Sequence, residues 1–136
     1  MTDIPEGVKL DYQRARDLLT EVVAERGRDY TYTAPRDPAD GRDGGSCDYW
    51  HGDEPGCLIG NALFQLGVTD RFLMAQEGNN AEALLDKLAY DFNWQVAPGV
   101  NWLFVKAQEM QDKREEWGFA LDEGIEYAAR RMEEEK

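Results

Sequence analysis

"SCDYWHGDEPGCLIGNALFQLGV", residues 46–68, decides the reading of the fold, because it closes one kind of structure and opens another. Its second half places Leu58, Ile59, Ala62, Leu63 and Leu66 at helical spacing and ends on Gly67, a residue suited to the position after a helix. Its first half, "CDYW" (47–50), is a short β-forming run. Upstream, Tyr30–Ala34 alternates Tyr and Thr and reads the same way. The two runs are expected to pair as an antiparallel ribbon, which is marginal alone in water and must lean on helices.

Working outward, Asp11 is a good N-cap for a helix that stops at Gly27, with Ala15, Leu18, Leu19, Val22 and Val23 on one face. The segment 35–46, "PRDPADGRDGGS", consists of turn and charged residues and is expected to be a flexible loop. Beyond residue 68, Thr69 and Asn80 can cap two further helices, and Pro98 suits the first turn of another. That helix turns Val100, Leu103, Phe104, Ala107 and Met110 inward. The last helix repeats Trp117, Ala120, Leu121, Gly124, Ile125, Ala128 and Met132, whose small members permit close approach to a neighbour. The expected fold is mainly α: a single domain over 1–136, five or six short helices in a compact bundle, with a small two-stranded antiparallel β-ribbon after the first helix.

Charge restricts function. Twenty-eight acids against fifteen bases give −13, divided as −3, −4, −3 and −3 over residues 1–46, 47–79, 80–112 and 113–136, so no tail carries the excess. Such a field repels phosphate backbones and anionic lipid, and argues against direct nucleic-acid or membrane binding. No run approaches the roughly 20 apolar residues of a membrane span. The N-terminal "MTDIPEGVKLDY" lacks the basic and apolar regions of a secretory signal, so a cytoplasmic location and reduced cysteines are expected.

Residues 46–68 hold both cysteines and the single histidine. Cys47, His51 and Cys57 could serve zinc, with Asp48, Asp53 or Glu54 as a fourth ligand. The spacing lacks the tight pairs of structural zinc sites, so no metal or other cofactor is expected. Cys57 reads more simply as a small buried residue. A zinc-deaminase match fails on the spacing of "HGDEPGC". Any Cys–His or Ser–His pair must use His51, and no motif for an activated nucleophile surrounds it, so the chain is not read as an enzyme. "NALFQLGVTDRFL" has the order of a helix-turn-helix, but its second helix offers one arginine beside Asp70 and Glu77, and an αα-corner is the simpler reading.

The remaining candidate is an interaction patch of aromatic rings beside an acidic turn: Tyr30, Tyr32, Tyr49, Trp50, His51, Asp53 and Glu54. The alternative for the rings is that they cover the core.

"CDYW…EPGCLIGNALFQLGV", then "VKAQEMQD" and a Trp-led last helix, resembles small proteins encoded by actinobacteriophages and related actinobacteria. The shared pattern is Y-x-Y, C-x-Y, P-x-C-L-[IV]-G-x-A-L-x-x-L-G-V and A-Q-x-x-Q-D-x-G-x-x-W, spanning residues 30–121. The resemblance implies a phage or actinobacterial origin and brings no activity with it. This chain departs from the pattern at Lys113-Arg114, where a glycine turn is usual, so the last corner is expected to be tighter or continuously helical. Gly60 would let a neighbouring segment approach its helix, and Gln108, Gln111 and Asp112 could bond backbone at a helix end. The leading functional expectation is a non-enzymatic protein-interaction factor that binds a host or phage protein in the cytosol. The alternative is a DNA-mimic inhibitor of a DNA-binding host enzyme.

Overall fold

A computed structural model describes residues 3–32, 49–51 and 54–134. The first strand, β1 (Lys9–Leu10), leads into helix α1 (Tyr12–Arg26), where Asp11 accepts the Arg14 N–H at 2.8 Å. All five predicted apolar residues of α1 are buried, and Gly27 ends it at φ +98°. Strands β2 (Trp50–His51) and β3 (Glu54–Pro55) form a hairpin ahead of α2 (Leu58–Gln65). Helix α3 (Asp70–Ala75) is capped by Thr69, and α4 (Ala81–Phe92) by Asn80. Strand β4 (Gln95–Val96) precedes α5 (Pro98–Asp112), and α6 (Trp117–Glu134) is the last described element.

Among the described elements, helices α5 and α6 make the most extensive contact. They approach closely because Gly124 faces the α5 backbone: a Cβ there would lie 2.9 Å from the Leu103 carbonyl oxygen. Leu103, Phe104, Ala107, Trp117, Leu121 and Ala128 are buried along this seam. Each fully buried large side chain there contributes about 1.5 to 3 kcal/mol.

The expected ribbon is overturned. Among the described residues, Tyr30–Tyr32 does not pair with Tyr49–Trp50; Thr31 instead bridges Glu116 in an antiparallel sense. The physical reason is the start of α6, whose first N–H groups need acceptors. The Trp117 N–H donates to the Tyr30 carbonyl at 2.8 Å, and the Gly118 N–H to the Arg28 carbonyl at 2.9 Å. Trp50 turns the other way, pairing across its own hairpin with Pro55. The strand pair that ties distant parts of the chain together is parallel, with Lys9 opposite Gln95 and Leu10 opposite Val96. Residues 33–48, including the predicted loop and Cys47, lie outside the described residues, as does Asp53.

The corner after α5 is not continuous helix, the second of the two expected forms. Arg114 takes the left-handed position at φ +68°, its N–H donates to the Gln111 carbonyl at 2.9 Å, and the Glu115 N–H reaches the Met110 carbonyl at 3.2 Å. This is a Schellman ending built on a residue with a Cβ.

Candidate functional site

The stretch that decides the fold turns on Tyr49, whose ring is fully buried. Its backbone lies on α2 because residue 60 has no side chain: a Cβ on Gly60 would meet the Tyr49 carbonyl oxygen at 2.3 Å. The Tyr49 hydroxyl donates to the Asn79 carbonyl at 2.6 Å and accepts from Gln108 Nε2 at 2.8 Å. Gln108 Oε1 accepts the Ala81 N–H that opens α4, at 2.8 Å. One turn on, Gln111 Oε1 accepts the Leu58 N–H that opens α2, at 2.7 Å. Two glutamines of α5 therefore serve the beginnings of two other helices, which accounts for their burial.

Two titratable groups in this network are displaced. Burial pushes the Tyr49 hydroxyl up to about 12; the Gln108 hydrogen bond opposes this, while the negative charges of Asp112 and Glu77 add to it. Burial also pushes the Asp112 carboxyl up to about 6, against the hydrogen bond that Gln111 Nε2 donates to it. Among the described residues, no group of three or more His, Cys, Asp or Glu is placed to hold a metal ion. Cys57 is fully buried and disulfide-bonded, which corrects the expectation of reduced thiols. It also removes the thiolate that the Cys47–His51–Cys57 metal alternative needs. The chain's one other cysteine, Cys47, lies outside the described residues.

The predicted interaction patch does not assemble from its rings. Tyr32 and Tyr49 belong to the core at 3% and 0% exposure. Tyr30 is half-buried against Trp117, with ring centroids 4.6 Å apart. Trp50 is half-buried against Phe64 at 5.2 Å. Glu54 is exposed in β3, and Asp53 is outside the described residues. His51 is in β2 with its backbone paired to Glu54.

Trp50 instead belongs to a groove of about 1080 Å3 that sequence reasoning missed. One wall is the N-terminal segment, fixed where Trp94 Nε1 donates to the Pro5 carbonyl at 2.7 Å and the Gly7 N–H to the Phe92 carbonyl at 2.9 Å. The α2–α3 corner, whose Gly67 lies against Pro5, contributes most of the remaining lining. Phe64, 44% exposed, and Phe72 lie on that side, and Phe92 packs edge-on against Phe72 at 5.8 Å. Among the described lining residues, Asp3, Glu6 and Asp70 supply carboxylates, against the single guanidinium of Arg71. The one available signal was Phe64, a large ring off the buried face of a short helix.

No helix among the described residues is long and apolar enough to cross a membrane. In comparisons with known proteins, no family model, curated protein or solved structure matches the chain.

Proposed function

We propose that the chain is a non-enzymatic interaction protein that receives a protein partner in the groove between its N-terminal segment and the α2–α3 corner. The observation that carries this reading is the aromatic lining: Trp50, Phe64, Phe72 and Phe92 share one concave surface with a carboxylate-rich edge. Aromatic rings in a partly desolvated depression are the usual anchors of protein interfaces, because they bury large areas at small entropic cost. The ionisable side chains among the described lining residues are carboxylates and one guanidinium, which suit recognition by shape and charge. The sequence resemblance makes a host or phage protein the natural partner.

The test is affinity capture from an actinobacterial lysate with three forms of the protein. Wild type and Phe119→Ala, whose ring is 45% exposed on α6 and outside the groove, are expected to retain the same partner. Phe64→Ala is expected to lose it while keeping its thermal unfolding midpoint. Equal capture by all three forms would refute the assignment to the groove.

A further inference from the structure

We infer that the groove takes a basic segment of its partner, in which arginine or lysine side chains alternate with apolar ones. This inference rests on the reading of the groove as a docking site and adds the chemistry of the occupant. The argument is one of charge complementarity. A surface that covers Trp50 and Phe64 must also come against Asp3, Glu6 and Asp70, because these residues line the same depression.

Among the described lining residues, Arg71 is the only basic one against the three carboxylates, which leaves them a net negative charge. A neutral partner that covered these exposed carboxylates would displace their water without supplying a counter-charge. An acidic partner would add repulsion. A second copy of this chain carries −13 and meets the same penalty, as do nucleic acid and anionic lipid. A basic partner gains twice: its cations neutralise the rim, and a guanidinium or ammonium can lie over the exposed face of an aromatic ring. Apolar neighbours of those cations are required as well, because the lining between the carboxylates is mainly carbon: Ile4, Val68 and Ala75 fill in around the rings.

The experiment uses the whole protein and a short fluorescein-labelled peptide alternating arginine with leucine. Two relatives accompany it, one with every arginine changed to glutamine and one with every leucine changed to serine. Binding is read by fluorescence anisotropy at low and high salt, with circular dichroism melts to confirm that each variant is folded. The arginine–leucine peptide is expected to bind at least about tenfold tighter than either relative, and to weaken with salt. The doubly reversed variant Asp3→Lys/Glu6→Lys, altered at two exposed positions, should lose about tenfold in affinity, and Phe64→Ala should lose a similar amount.

If the glutamine–leucine peptide binds as tightly as the arginine one and both depend on Phe64, the groove is a docking site but the basic occupant is wrong. If the serine-containing peptide binds as tightly as the arginine–leucine one and Phe64→Ala changes nothing, the attraction is diffuse charge and both readings fail. A concentration-dependent dimer in sedimentation velocity that Phe64→Ala abolishes would make a second copy the occupant and overturn the inference.

Discussion

Replacing Asp112 by Asn is expected to stabilise the protein at neutral pH and to leave it unchanged in acid. Asp112 ends α5 beside Tyr49, and burial raises its carboxyl from 3.8 to about 6 in spite of the Gln111 hydrogen bond. Its charge also lies at a helix C-terminus, where a negative group opposes the dipole. The folded chain therefore holds this proton more tightly than the unfolded chain does. Stability contributed by the protonated carboxyl is full below about 4 and is lost as pH rises to about 6, and the deficit persists above that. At about 1.4 kcal/mol for each pH unit between the two values, the ceiling is about 3 kcal/mol. Asp112 is only half-buried, so solvent screening lowers this to about 1 to 2 kcal/mol.

Asn keeps an oxygen that can accept from Gln111 Nε2, now 3.0 Å from the carboxylate, so Gln111 can keep its bond to the start of α2. The measurement is urea unfolding of both forms at about pH 4 and about pH 7.5, the two sides of the window. With slopes of about 1 to 2 kcal/mol per molar, the neutral-pH midpoint should rise by about 1 M. At pH 4 the two midpoints should converge. Equal midpoints at neutral pH, or a gain that survives in acid, would refute the argument that a desolvated carboxylate is the cause.

Three further outcomes follow from the same packing. Gly60→Ala would set a methyl 2.3 Å from the Tyr49 carbonyl oxygen, so a loss of about 3 kcal/mol or more is expected in chemical unfolding; a loss under about 0.5 kcal/mol would contradict the close approach. Arg114→Gly should raise stability by about 1 kcal/mol, because φ +68° strains a residue with a Cβ; a lowered melting temperature would show that the arginine side chain outweighs the backbone. Cys57→Ser should cost about 2 to 4 kcal/mol. Thiol titration of denatured wild type, without reductant, should find no free thiol if Cys57 is bonded as described.

The helices were legible because their signals are local. Asp11, Thr69 and Asn80 each hold an N–H within their own first turn, and Pro98 opens α5 with nothing to donate. The ribbon was not legible because β-forming residues specify an extended backbone and not the partner of its hydrogen bonds. Arg28 and Tyr30 give their carbonyls to α6, some 90 residues away, a use that only the packed structure reveals. The parallel pair of Lys9–Leu10 with Gln95–Val96 is two residues long on each side, too short for any alternation to register. Gln108 and Gln111 were legible in kind, as side chains that bond backbone at a helix end, but not in address. They serve α4 and α2, not their own helix. The groove was hidden for a related reason: its walls come from residues near 3–6, 50, 64–72 and 92, and no short window contains two walls at once.

The dipeptide Tyr49-Trp50 joins the two halves of this picture. Tyr49 faces the core and Trp50 faces the groove, as neighbouring residues in extended chain must. Both of their N–H groups lie 3.3 Å from the Glu77 carboxylate, one on each oxygen. A phenylalanine at position 49 would fill nearly the same volume, so packing alone does not explain the hydroxyl. The hydroxyl bonds the Asn79 carbonyl two residues beyond Glu77 and takes the Gln108 amide from α5, which clamps the 76–80 turn to the core. Glu77 is on that turn, so the clamp also fixes the carboxylate that holds the Trp50 backbone. A buried polar network of this kind adds little net stability over an apolar filling, but it permits fewer arrangements. Here its effect is positional: it sets the height of the Trp50 ring in the groove wall from inside the core.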